Sequence, residues 1–163
     1  PPPPPIWHMP AIQTLKDTFL LFYILLGKDL AIFDFGTRVG VALKVADNLL
    51  SEGRSITVSD ARFAKPIDTE LLEDLWKNHS KLIIIEEGSV GGFSSHCLHF
   101  LSSKGVLNNG NKEIRCLTMP DYFQDHASQN EQLAKAGLDI VGLTSTIKEM
   151  LPLSKLSNDM AVK

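Results

Sequence analysis

Acidic groups stand where apolar runs end: Asp34 after LAIF, Asp60 with Arg62 after ITVS, Glu86 and Glu87 after KLIII, and Asp121 after EIRCLTMP. Carboxylates gathered this way could hold a divalent cation, and a phosphate-accepting aspartate site would add a lysine at a strand end. No apolar run here ends in lysine, and Lys65 belongs to the segment that follows one. The simpler chemistry is structural: the acids cap helix N-termini and pair with Arg38, Arg62 or Lys65. A second candidate is GSVGG, Gly88 to Gly92. Glycines let backbone N–H groups approach an anion at a helix N-terminus. The run has neither the G-K-[ST] of a P-loop nor the spacing of G-x-G-x-x-G, so it reads as a turn first and an anion contact second.

His96 and His99 lie three apart, on one face if the segment is helical. A metal would need further ligands, and no H-E-x-x-H or cysteine pair accompanies them. His126, beside Asp125 in DYFQDHASQNE, reads as a structural or subunit-contact residue, with catalysis the lesser alternative. Nucleophile arrangements are missing: there is no G-x-S-x-G, and Cys97 and Cys116 lie among apolar residues rather than in a basic loop. Two unmatched cysteines imply no disulfide framework and fit a reducing, cytoplasmic setting. The 16 basic and 19 acidic residues, a net charge of -3, give no basic footprint for nucleic acid.

The elements that must position these groups follow from periodicity. LAIFDF, SITVSDA, KLIIIEE and EIRCLTM read as strands, and the segments between them repeat apolar residues at helical spacing. Asp68 is placed to cap the helix TELLEDLWKNH, and S-x-x-E at Ser128 to Glu131 is a capping box. Consecutive βαβ units require parallel strands, and unbroken apolar runs require helices on both faces. The expected fold is therefore α/β: a three-layer α/β/α sandwich with a mostly parallel sheet, whose ligands would sit at the carboxyl ends of the strands. PPPPPIWHMP reads as a polyproline leader or remnant, and FLLFYILL, Phe19 to Leu26, as a buried strand or short helix. That run is about half of the ~20 residues a membrane span needs. The domain organisation expected is a leader or divergent junction over 1–28, the domain over 29–151 and a tail over 152–163.

Four blocks then carry a resemblance: GKDLAIFDFGT, DARFAKPID, IIIEEGSVGGFSS and MPDYFQDHASQNEQLAKAGLD, in that order, within Gly27 to Leu151. The chain resembles the C-terminal domain of the 1-deoxy-D-xylulose-5-phosphate synthase family. The C-terminal domains of transketolase and of the pyruvate dehydrogenase beta subunit share a looser form of the R-x-x-x-P-x-D loop. The resemblance implies a parent transferase that condenses pyruvate with glyceraldehyde 3-phosphate to 1-deoxy-D-xylulose 5-phosphate and carbon dioxide, a precursor of isoprenoids, thiamine and pyridoxal. It implies thiamine diphosphate and Mg2+ in the full-length enzyme, a cytoplasmic homodimer, and partnership with N-terminal domains, with no membrane. The family's G-D-G followed by paired Asn is missing, since NNGN at 108–111 has no G-D-G upstream. The implied role is thus scaffold and subunit contact, with no cofactor bound and no activity alone. The residues implied in that role are Arg62, Lys65, Pro66, Asp68, Glu86, Gly91, Gly92, Asp121 and His126. Two alternatives stand beside it: the C-terminal domain of a transketolase or of a pyruvate dehydrogenase beta-type subunit acting as a partner-docking module, and a small-molecule binder using the acidic edge and GSVGG.

Overall fold

A computed structural model describes residues 23–108 and 110–152 of the 163. The leader before Tyr23 and the tail from 153 onward lie outside the described residues. Among the described residues five strands and five α-helices follow in the order β1 (Tyr23–Leu25), β2 (Leu30–Phe35), α1 (Val39–Leu50), β3 (Ile56–Asp60), α2 (Thr69–Asn78), β4 (Lys81–Ser89), α3 (Phe93–Ser103), β5 (Glu113–Met119), α4 (Gln129–Lys135) and α5 (Ile140–Met150). The strands form one sheet in the order β1-β3-β2-β4-β5. β3, β2, β4 and β5 are parallel, as the βαβ pattern requires, with Asp34 in register with Asp60 and Phe35 with Glu86.

β1 is the antiparallel member of the expected, mostly parallel sheet. It pairs antiparallel with β3, Tyr23 opposite Ser59, so the chain enters the sheet from the carboxyl edge. It forms part of the FLLFYILL run, yet Ile24 and Leu26 are exposed. An edge strand has only one neighbour, so apolar residues there are covered on one side at best. The four residues of the run before Tyr23 lie outside the described residues.

Two cores flank the sheet. On one face Ile32, Val58, Ile83 and Ile85 meet Ala42, Val45 and Leu49 of α1 and Leu143 and Ile147 of α5. On the other, Ala31, Phe33, Leu82 and Ile84 meet Leu71, Leu72, Leu75 and Trp76 of α2 and Phe93, Cys97 and Leu101 of α3. Successive residues of β2 and β4 thus serve opposite cores, which is why those runs are apolar without alternation. The helix after β2 lies on one face and the helix after β4 on the other. The loops part between these neighbouring strands, and that divergence opens a crevice at their carboxyl ends.

Candidate functional site: the carboxyl edge of the sheet

The acids noted in the sequence do converge on this edge, but they divide the work unequally. Glu86, the last buried residue of β4, turns toward the start of α3. Its Oε2 accepts from Phe93 N at 3.0 Å, and its Oε1 accepts from Ser94 N at 2.8 Å and Ser94 Oγ at 2.7 Å. A carboxylate here satisfies two orphan N–H groups and sits in the positive end of the helix dipole. The glycines around it leave room for the carboxylate where it sits: a Cβ on Gly88 would come 2.6 Å from Glu86 Oε2, and one on Gly92 would overlap the same atom, so either would displace it. Gly91 has φ +99, a conformation that side chains resist, and its N–H donates to Ser95 Oγ at 3.0 Å. GSVGG is therefore a seat for the protein's own carboxylate. An outside anion at the start of α3 would find those two N–H groups taken.

Glu87 faces the other way. Arg38 Nε lies 2.6 Å from Glu87 Oε1, and Thr37 Oγ1 donates to the same oxygen. Arg38 Nη2 also donates to Thr37 Oγ1 at 3.0 Å, closing a triangle over the crevice between β2 and β4. Beneath it lies Asp34, fully buried. Neither of its oxygens makes a hydrogen bond of full geometry, although the Val39 N–H is directed toward it. Burial pushes its pKa up from 3.8 to about 8; Asp60 and Glu87 add to the rise, and Arg38 and the Val39 N–H oppose it. At neutral pH Asp34 is a neutral acid. This corrects the expectation that every strand-end acid caps a helix or pairs with a cation.

In the loop after β3, Asp60 Oδ1 accepts from the backbone N–H of Arg62 at 2.8 Å, and Arg62 adopts φ 57. Arg62 is exposed rather than buried. Lys65 and Pro66 are exposed, joined by a cis peptide bond. Asp68 caps α2 as expected, accepting from Leu71 N at 2.9 Å. Asp121 and His126 are exposed beyond β5 and stand apart from the crevice residues in sequence and element. The Ser128–Glu131 capping box is present. His96 is half-buried and His99 exposed, and no three His, Cys, Asp or Glu among the described residues are grouped to hold a metal. Burial pushes the Cys97 and Cys116 thiols up, the opposite of an activated nucleophile.

Three further polar residues carry weight that the sequence did not announce. Lys112 Nζ donates to the carbonyls of Trp76, Lys77 and His79, closing the C-terminal end of α2, and sits 5.4 Å from the Trp76 ring centroid. His79, buried, bridges Thr57 Oγ1 at 2.8 Å and Leu75 O at 3.1 Å. Arg54, buried, donates to Leu151 O at 3.2 Å and ties α5 to the start of β3. Each partner is distant in sequence or set by a helix end, so no local motif could reveal it.

The model of the family described as the C-terminal domain of transketolase matches residues 24–142. The chain belongs to the transketolase C-terminal domain family. A solved structure described as a split-gene transketolase, inactive beta4 tetramer, is similar with a TM-score of 0.69 and 27% identity, over 80% of this chain. This chain spans 42% of the length of that one. The family relates the domain to thiamine diphosphate-dependent enzymes that also use a divalent metal. At the start of α3 and among the acids beside it, the residues do not fit that cofactor. The start of α3 is filled by Glu86, and the acids of the crevice include a neutral Asp34 and a Glu87 already paired to Arg38.

Proposed function

We propose that this chain is the C-terminal domain of a 1-deoxy-D-xylulose-5-phosphate synthase, acting as scaffold and subunit contact for N-terminal domains that bind thiamine diphosphate and Mg2+. In that parent the reaction joins pyruvate and glyceraldehyde 3-phosphate with loss of carbon dioxide, and the location is cytoplasmic. The observation that carries the reading is the conjunction of DARFAKPID, IIIEEGSVGGFSS and MPDYFQDHASQNEQLAKAGLD on one edge of one sheet. The roles proposed for these residues are mechanical. Pro66 and Asp68 set the loop and start α2, Glu86 with Gly91 and Gly92 start α3, and Arg62, Lys65, Asp121 and His126 face outward for contact. None would touch the reacting atoms. The chain alone would be inactive.

A second reading, the C-terminal domain of a transketolase, has in its favour the similarity to a split-gene transketolase. Domain exchange separates the two. Residues 23–152 are substituted for the C-terminal domain of a 1-deoxy-D-xylulose-5-phosphate synthase and, separately, of a transketolase, and each chimera is assayed with its own substrates. The expected outcome is turnover by the first and loss of turnover in the second. The reverse pattern would establish the second reading, and turnover by the isolated chain would defeat both.

A further inference from the structure

At the end of α2 the buried His79 ring, the buried Thr57 hydroxyl of β3 and the main chain of Gly27, in the turn between β1 and β2, form one run of hydrogen bonds. His79 Nδ1 lies 3.1 Å from Leu75 O, and Nε2 lies 2.8 Å from Thr57 Oγ1. Thr57 Oγ1 in turn accepts from Gly27 N at 2.9 Å and donates to Gly27 O at 3.1 Å. Both ends of the run are fixed. The Leu75 carbonyl also takes the His79 backbone N–H, which anchors the residue to the helix end. A Cβ on Gly27 would overlap the backbone of Ile56, so the turn is pressed onto β3.

A carbonyl only accepts, so Nδ1 must carry a hydrogen to bond Leu75 O. A hydroxyl has one hydrogen and two lone pairs. Two acceptors therefore compete for the Thr57 hydrogen: Gly27 O and a bare Nε2. With one hydrogen on the ring, at Nδ1, Thr57 serves only one of them. With a second proton, at Nε2, the ring donates to Thr57 Oγ1, Thr57 donates to Gly27 O, and every contact in the run is made at once. The other neutral form, with its hydrogen at Nε2, would set the Nδ1 lone pair against the Leu75 oxygen.

Charges on the elements packed about the ring act in both directions. The C-terminal end of α2 favours a cation, and the Lys112 ammonium, 2.9 Å from His79 O, opposes one. The rest are engaged elsewhere or exposed: Asp29 Oδ2 accepts from Ser55 N at 2.7 Å, Lys81 pairs with Glu113 at 2.9 Å, and Lys77 is exposed.

We propose that His79 is a proton-operated latch on the β1–β2 turn. When the ring holds two protons, the Thr57 hydrogen closes on Gly27 O and clamps the turn to β3. When the ring gives one proton to solvent, that hydrogen swings to Nε2 and the Gly27 carbonyl loses its donor. The edge strand β1, which ends two residues before Gly27, is thereby held more firmly in acid than in base. The latch lies in the domain's own hydrogen bonds and is independent of which parent enzyme the domain serves.

NMR on the 163-residue chain between pH 5 and 8.5 tests it. Ring 15N shifts of His79 report which nitrogens hold hydrogen, the Gly27 carbonyl 13C shift reports its donor, and Gly27 amide exchange, corrected for the intrinsic rate, reports the clamp. The expected result is a neutral ring with its hydrogen at Nδ1 and a Gly27 carbonyl that titrates with the same midpoint as the ring. Gly27 protection should be about 2- to 10-fold greater in the protonated state, the worth of one net hydrogen bond. Thr57→Ser keeps the hydroxyl and should keep the coupling, whereas in Thr57→Val, with circular dichroism confirming the fold, the Gly27 carbonyl should ignore the ring. A ring that does not titrate in this range, a neutral ring with its hydrogen at Nε2, a Gly27 carbonyl indifferent to the ring, or coupling that survives in Thr57→Val would overturn the proposal. Should Thr57→Val fail to fold, agreement or disagreement of the two midpoints in the parent protein decides by itself.

Discussion

Replacing Asp34 by Asn should stabilise the protein, and by an amount that grows with pH. Asp34 has a folded-state pKa of about 8 against 3.8 for the free group. Between those values the folded protein holds a proton that the unfolded chain has already released. Unfolding therefore releases a proton, and stability falls as pH rises through this window. It is unaffected below 3.8 and constant again above 8. Each pH unit inside the window costs about 1.4 kcal/mol. At pH 7, three units in, the fold has given up roughly 4 kcal/mol. Asn has the shape of the neutral acid without the proton, so Asp34→Asn should recover about 2–4 kcal/mol at pH 7, the lower end allowing for an amide NH2 that needs its own partners. At pH 4 the two proteins should be nearly equal. Urea unfolding of both at pH 4, 5.5, 7 and 8.5 reads the difference directly, because the other titrating groups cancel in the comparison. A stability difference independent of pH would show that Asp34 ionises in the fold as it does in the unfolded chain, and the account of the crevice would fail.

Glu86→Ala should destabilise by about 2–4 kcal/mol, since it orphans two buried N–H groups and one hydroxyl. A thermal melt within a degree of the parent would contradict that capping role. Gly92→Ala should cost a comparable amount by displacing the Glu86 carboxylate, and adding it to Glu86→Ala should cost less than the sum, the signature of residues sharing one interaction; simple additivity would separate them. Lys112→Met should remove about 1–2 kcal/mol by uncovering three carbonyls at the end of α2. Amide exchange in the last turn of α2 is the sensitive readout, and unchanged protection there would rule the contact unimportant.

The strands from Leu30 onward, the helices between them and the two-sided core were legible because apolar runs of strand length and apolar repeats of helical period are local quantities. The Asp68 cap and the Ser128–Glu131 box were legible for the same reason, each being closed within four residues. The family, too, was carried by short blocks in order. What tertiary structure alone decided is how like residues diverge. Glu86 and Glu87 are adjacent and chemically identical, yet pleating sends one into α3 and the other to Arg38, and Asp34, one strand away, has only the Val39 N–H directed toward it. The antiparallel direction of β1 was equally hidden, since a strand of three residues carries no periodicity. Arg54, His79 and Lys112 act on carbonyls brought near by packing, and a carbonyl has no letter in the sequence. A sequence records local propensity and pattern; the partner of a polar atom is set by which elements become neighbours in space.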